Sequence, residues 1–513
     1  MMPEVGLKAQ NARFGKGGTK MRGVPSRCGS SVYCCPDQSQ VFVLEPHLGL
    51  CRLLRVRGVW NLAVVLGCMI SFYPDTLIPQ VLAEELVRNP TFKNVDSTGF
   101  PEAWIPWQPG NTANACRVQV VPEGLRMDSP GKPYGVGGVT QQVKGIHSGQ
   151  AYRIRAECQW EGIVSPYRSV LLRLTWLSEG KPVHPAGLLV RGPIWQGEKG
   201  VFEDVLVAPA NADTAEISLE LKWPGDGFVI WKSVQMTPCD PPTPRRVKVG
   251  TVHFRPRGST PEKNLELYAR YIREAGQLGL DIVCLPELIT VVGTGKRSFE
   301  VAEPIPGPAS DYLGRAAKEA HVWVVAGLAE KSGEEIYNTA VLLDREGKVA
   351  GKYRKVHLPR EEWKEGITPG HEYPVFETDF GKIAIQICYD WFFPESHANF
   401  ALRGAEILFA PTWGETWPDH EGRVHGENVF RVRARDNGIY LVASVYDGSS
   451  MIIDPMGRIL VSNQGKEGLF WCEIDLANRE LWPWVGFWRS IGPRDRMPHT
   501  YRMLAEEPPG PTY

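Results

Sequence analysis

Three side chains capable of joint chemistry follow short apolar runs at separate places in the chain: Leu285-Pro-Glu287, Tyr353-Arg-Lys355-Val-His-Leu-Pro359 and Ile387-Cys388-Tyr-Asp390. A thiol near its ordinary pKa of about 8.5 is mostly protonated at neutral pH, and only the thiolate attacks well, so Cys388 needs a neighbouring base. Glu287 is the residue to take that proton. Attack on an amide carbonyl puts negative charge on oxygen, which calls for donors aimed at the tetrahedral intermediate. Lys355 and the backbone N–H after Cys388 are the donors expected. Glu287 can then return its proton to the departing amine or ammonia and later activate the water that cleaves the thioester. Such a site needs no metal and no organic cofactor. Taken singly, the three residues have plainer explanations: a surface carboxylate, a solvated lysine and a buried structural thiol. Their occurrence together at strand ends, where α/β folds gather their sites, favours chemistry.

The elements that must position them begin near Val247. Val247 to Phe254 reads as a strand, and Thr260 caps a helix with Pro261 at its first position. Leu265, Tyr268, Ala269, Ile272 and Ala275 give that helix one apolar face, and Gly279 ends it. Buried strands are expected at Leu280 to Leu285, His321 to Ala326, Lys382 to Ile387, Glu406 to Ala410 and Ile439 to Val445, an α/β layered pattern. Neither GxGxxG nor GxxxxGK[ST] occurs, so no nucleotide cofactor is indicated.

The same three residues, in this order, with Ala410-Pro-Thr-Trp-Gly414, Arg433-Ala-Arg-Asp-Asn437 and Ile452-Ile-Asp-Pro-Met-Gly457, resemble the nitrilase superfamily of carbon–nitrogen hydrolases over roughly residues 247 to 475. The resemblance implies a four-layer α-β-β-α sandwich, assigned here to residues 247–490, and a homodimer or higher homo-oligomer. It also implies a second glutamate after the lysine, for which Glu361, Glu362 and Glu365 compete; Glu362 is chosen, to orient Lys355 and the substrate. Tyr389, Asp390 and Trp413 are taken as substrate-binding, in a neighbourhood made aromatic by Trp391, Phe392 and Phe393. Relatives that bind a substrate carboxylate tend to place arginine just after the nucleophile. Asp390-Trp391 at that place argues against an N-carbamoyl amino acid. Asp390 would meet a cationic substrate end or, preferably, cap the helix that begins near Pro394. The expected substrate is an amide or N-carbamoyl amine, with nitrile hydrolysis at the same site as the alternative. The acyltransferase branch, which carries a multi-span membrane domain, is disfavoured.

Residues 84–237 have a different texture. Alternating runs such as Tyr152-Arg-Ile-Arg-Ala-Glu-Cys158 and Ala215-Glu-Ile-Ser-Leu-Glu-Leu221, separated by turn residues, read as an all-β sandwich. Leu86-Val-Arg-Asn-Pro-Thr-Phe92 and Gly227-Phe-Val-Ile-Trp231 resemble the ends of a jelly-roll module of the galactose-binding or carbohydrate-binding kind. Trp104, Trp107, Trp160, Trp176, Trp195, Trp223 and Trp231 are then either platforms for a glycan or core filling. A glycan-binding scaffold without catalysis is the competing reading of the whole protein. The prolines at 238, 241, 242 and 244 mark a linker over 238–246, and residues 491–513 are read as a C-terminal extension.

Residues 1–83 are expected to be a disordered tail followed by an export segment. Arg52, Arg55 and Arg57 precede an apolar run from Val59 to Phe72, shorter than the about 20 residues of a membrane span but suited to a signal-peptide core, with Val81-Leu82-Ala83 as a cleavage site. Translation starting near Leu53 or Val59 would give that segment an ordinary length. A periplasmic or extracellular location is preferred to a cytoplasmic one. The 57 basic and 58 acidic residues balance to a net charge of -1, which excludes nucleic acid and anionic membrane as primary electrostatic partners. The 11 cysteines form no CxxC pair, so no structural metal is expected, and His420 and His425 with Glu421 and Glu427 read as a polar loop rather than a ligand set. The pairing of Cys116, Cys158 and Cys239 is open.

Overall fold

The computed structural model describes residues 84–196, 199–414 and 425–506. The apolar run from Val59 to Phe72, the Val81-Leu82-Ala83 site, His420 and Glu421 lie outside the described residues.

Two six-stranded sheets carry the C-terminal half. In the first, the order is Val349–Arg354, Glu335–Leu343, Trp323–Ser332, Ile282–Cys284, Arg246–His253 and Gly468–Asp475. The second runs Val375–Glu377, Lys382–Ile385, Ile407–Gly414, Tyr440–Asp447, Met451–Ile453 and Ile459–Ser462. Each has three adjacent parallel strands flanked by antiparallel ones. Such strands are buried on both faces, which is why they read as continuous apolar runs.

Period-two alternation then assigns the faces of the first sheet. Ile282, Cys284, Trp323, Val325, Ala340 and Leu342 join the core shared with the second sheet. Val283, Val324, Val341 and Leu343 point the other way, against Tyr268, Ile272, Leu313 and Ala317 of the helices Pro261–Gln277 and Pro308–Ala320. The first of these helices starts as its sequence dictates: Thr260 Oγ1 accepts from Lys263 N at 3.2 Å, Pro261 opens it, and Gly279 just past its end has φ +66°. Phe400 and Phe430, from the helices Pro394–Leu402 and His425–Asn437, join the core of the second sheet. Helices, sheet, sheet and helices thus succeed one another.

The preceding residues form two antiparallel six-stranded sheets. One contains Val136–Lys144, Thr214–Lys222 and Val170–Ser178 at its centre, and the other Gly124–Asp128, Phe228–Cys239, Ala151–Glu161 and Lys199–Val207. Inward residues of both, among them Val139, Leu172, Ile217, Ile154, Phe202 and Trp231, share one core. Trp104, Trp176 and Trp231 are buried there, whereas Trp195 and Trp223 are exposed. All six cysteines among the described residues are free. The proline-rich stretch expected over 238–246 is shorter than its composition suggested. Pro238 and Cys239 still pair with Tyr152 and Ala151 at the end of a strand, and Arg246 already opens the next. Proline is tolerated at this strand end because Gly124–Asp128 pairs only with Phe228–Trp231 and asks no ladder N–H of residue 238.

The expected division at residue 490 is corrected, because it falls inside the helix Trp488–Asp495. Residues 476–505 run back over both halves as a strap. Arg479 forms a bidentate pair with Asp204 of the sandwich, at 2.6 and 2.9 Å, while Arg489 donates to Ala405 O and Trp488 Nε1 to Asp436 O in the α/β half. Arg494 is only 4% exposed; its guanidinium donates to Tyr167 O and Gly192 O of the sandwich and lies 4.0 Å over the Tyr167 ring. A buried cation held by carbonyls and a ring face is stable only while all of them are present. Arg494→Met is expected to weaken the junction by about 2 kcal/mol. Calorimetry should then show the sandwich unfolding ahead of the α/β half; an unchanged profile would remove the strap from this role.

Candidate active site

The first sheet supplies a carboxylate, an amide and an ammonium. Glu287 lies beyond the C-terminal end of the parallel strand Ile282–Cys284, where it is stitched to the neighbouring strand by Gly327 N donating to Pro286 O and Ile289 N donating to Gly327 O. A Cβ at Gly327 would sit 2.6 Å from the Glu287 Cα, so only glycine lets the turn come this close. Lys355 follows the strand Val349–Arg354, and Asn338 lies on Glu335–Leu343 beside it, with Lys355 N donating to Asn338 O. Glu362 is on the short helix Arg360–Lys364.

These four form one buried cluster. Lys355 Nζ donates to Glu287 Oε1 at 2.9 Å and to Glu362 Oε1 at 2.8 Å, while Asn338 Nδ2 donates to the same two oxygens at 2.7 and 2.8 Å. Trp413 N donates to Glu287 Oε2 at 2.6 Å. Burial pulls the Lys355 pKa down, but Glu287, Cys388 and Glu362 outweigh it and hold the ammonium above its usual range. Burial pushes Glu362 up to about 7, with Lys355 opposing and Glu287 adding to the rise. Of the three competing glutamates, Glu361 and Glu365 are exposed, and only Glu362 reaches Lys355.

The second sheet brings the thiol. Cys388 opens the 3₁₀ turn Cys388–Phe392 after Lys382–Ile385 and has φ +42°, a left-handed conformation that non-glycine residues adopt only under constraint. The thiol is half-buried, and the backbone N–H groups of Trp413 and Gly414 interact with its sulfur. Burial and the Glu287 charge push its pKa up to about 12, against the opposing pull of Lys355 and the two N–H groups.

Asp390 is corrected. It is fully buried, and its side chain does not cap the helix Pro394–Leu402. Its Oδ2 accepts from Tyr353 OH at 2.8 Å and Ile387 N at 3.1 Å, and its Oδ1 from His357 N at 2.9 Å, with His357 Nδ1 at 2.8 Å from the same oxygen. A single carboxylate therefore ties the cysteine turn to the segment that carries Lys355. Tyr389 is half-buried against Phe392 and Phe393, at 5.4 Å from each ring. Trp413 packs edge-on against Tyr446 with the Arg255 guanidinium 5.5 Å over its ring. Sequence reasoning missed Asn338, although an asparagine inside the apolar strand pattern Ile336-Tyr-Asn-Thr-Ala340 is a usable signal, since that residue type is depleted in strands unless bonded. Among the described residues no group of three or more His, Cys, Asp or Glu is placed to hold a metal ion.

A thiol, two carboxylates and an ammonium are thus brought together beyond strand ends of a two-sheet α/β scaffold. Residues 246–483 match the carbon–nitrogen hydrolase family. A nitrilase of Pyrococcus abyssi is 34% identical over 245 residues, covering 45% of this chain and 90% of that protein. An omega-amidase of Homo sapiens is 30% identical over 232 residues, covering 42% of this chain and 83% of that protein. The solved carbon–nitrogen hydrolase of Helicobacter pylori G27 is 24% identical, covering 51% of this chain and 99% of that one, with a TM-score of 0.43. The chain belongs to the carbon–nitrogen hydrolase family of the nitrilase superfamily, and it is an enzyme acting on non-peptide C–N bonds.

The thiol's raised pKa has a measurable consequence. With the thiolate fraction growing tenfold per pH unit until about pH 12, alkylation of Cys388 by iodoacetamide, followed by mass spectrometry of its peptide, should climb steadily from pH 7 to pH 10. A plateau starting below pH 9 would contradict this environment.

Proposed function

We propose that the enzyme hydrolyses an amide or N-carbamoyl amine of a small molecule through a thioester on Cys388. The observation that carries this reading is the Lys355 ammonium, buried and shared between Glu287 and Glu362, beside a thiol on a strained turn. With the substrate carbonyl in place, Glu287 takes the thiol proton as sulfur attacks carbon. The ammonium has three N–H donors, of which two are committed to carboxylates, so one is left for the oxyanion. Collapse of the tetrahedral species breaks the C–N bond, and Glu287 passes its proton to the leaving nitrogen. Water then enters; Glu287 accepts its proton, hydroxide adds to the thioester carbon, and the thiol leaves with the proton restored. Glu362 and Asn338 act by holding Lys355 and Glu287 in register, and Asp390 acts by positioning the cysteine turn.

The similarity to a nitrilase and to omega-amidases supports an amide or a nitrile as the substrate class. The aromatic surroundings of Tyr389 and Trp413 support a substrate with an apolar flank. For the β-sandwich we propose a jelly-roll, carbohydrate-binding-like module. The exposed Trp195, its ring 4.2 Å from that of Trp160, supports a platform for a glycan. Export from the cytoplasm and assembly as a homodimer or higher homo-oligomer belong to the same proposal.

The reading is tested by incubating the full chain with a panel of amides, ureas and nitriles while following ammonia. Turnover is expected with amides or N-carbamoyl amines, and Cys388→Ala should abolish it while leaving the thermal transition in place. A blank across the panel, or activity surviving in Cys388→Ala, would reject it. The acid limb of kcat/KM offers a second check. Glu362, pushed up to about 7, gains a proton as pH falls through that value and loses its hold on Lys355, so activity should drop on the acid side. In Glu362→Gln this limb should flatten at a lower overall rate; a limb left unchanged would assign it to another group.

A further inference from the structure

Away from the thiol, a cleft of about 870 Å³ opens where the sandwich, the proline-rich connection, the α/β half and the C-terminal strap meet. That volume falls in the range of small-molecule sites. Its apolar lining includes Leu174, Leu206, Leu481 and Phe487, and its charged lining comprises four arginines and two carboxylates, so the charge is unbalanced.

Both carboxylates are already engaged. Asp204 is held by Arg479 at 2.6 and 2.9 Å, and Glu406 by Arg245 at 2.7 and 2.9 Å, each through two nitrogens. With each carboxylate held closely by one guanidinium, Arg191 and Arg489 meet these carboxylates only at longer range and form no hydrogen bond to them. Arg191 comes no nearer to Asp204 than 3.9 Å. Arg489 donates through one nitrogen to Ala405 O at 3.0 Å, and its other nitrogens have no protein partner yet are not sealed from solvent. Burial holds its pKa below the usual guanidinium value, with the Glu406 carboxylate opposing the fall and the neighbouring Arg245 adding to it. Arg489 within the half-enclosed cleft and Arg191 at its exposed rim therefore give the site a local excess of positive charge that an anion would offset.

We propose that this cleft binds a small organic anion, with a carboxylate or phosphate between Arg489 and Arg191 and its carbon body against Leu481 and Phe487. Planar guanidiniums with free parallel donors suit both anion types, and the apolar wall favours an anion that carries carbon over a bare inorganic ion. The site is separate from the Cys388 chemistry and does not depend on the substrate assigned to it.

Isothermal titration of the full chain at low salt with citrate, glucose 6-phosphate and neutral glucose tests the assignment. Saturable binding of citrate or of the sugar phosphate at one site per chain is expected, with glucose silent, and the two anions distinguish a carboxylate from a phosphate ligand. Arg489→Gln should weaken that binding at least tenfold. Arg191→Gln, at a largely exposed side chain, should do the same without risk to folding. Absence of saturable binding by either anion, equal binding of glucose, or an affinity unchanged in both variants would overturn the proposal.

Discussion

The interaction on which the candidate active site depends is the burial of the Lys355 ammonium between Glu287 and Glu362. An ammonium 1% exposed is tolerated only with charge and hydrogen bonds to replace its water, and here the two carboxylates provide both. Asn338 spans the same two oxygens and stops the carboxylates from drifting apart or turning toward solvent. The four residues are one electrostatic unit. Removing any member leaves a charge or a donor stranded in a low-dielectric site, which is why their effects should be strongly non-additive.

The scaffold has to place that unit against a thiol from the other sheet. Two features do so by contact rather than by charge. Gly327 lets the Glu287 turn lie directly on the neighbouring strand, and the Trp413 backbone N–H spans from the second sheet to the Glu287 carboxylate. A third is Asp390, which collects bonds from Tyr353, His357 and Ile387 and so joins the cysteine turn to the lysine segment. The positive φ at Cys388 persists because these bonds over-determine the turn.

Beyond the site, the C-terminal strap makes the sandwich and the α/β half mechanically continuous. Its arginines divide between two roles. Arg479 and Arg494 are saturated by Asp204 and by backbone carbonyls, and they hold the junction. Arg489 is not saturated, and it faces a cleft that the strap itself helps to enclose. A composition balanced almost to neutrality over the whole chain therefore still leaves a local excess of positive charge, since net charge says nothing about where the partners fall.

Much of this was legible in the sequence. The helix at Pro261–Gln277 announces its start with Thr260 and Pro261 and its end with Gly279, because capping is local physics. The buried parallel strands show as apolar runs because both of their faces are covered. Cys388, Glu287 and Lys355 stand out because a thiol, a carboxylate and an ammonium each follow a strand end, and the fold brings the three together. Other features depended on three dimensions. Which of Glu361, Glu362 and Glu365 turns inward is set by the rotation of one short helix, to which spacing is blind. Asp390 was misread because the direction of a side chain on a 3₁₀ turn follows from what packs around it. Asn338 and Gly327 look like ordinary strand residues until a neighbouring chain segment lies on them. The strap's path across both halves likewise had no local signature. Elements and reactive groups follow from short-range sterics and functional-group chemistry, so residue order alone was enough to locate them. Which charges meet is set by how both sheets pack, because the partners lie far apart along the chain.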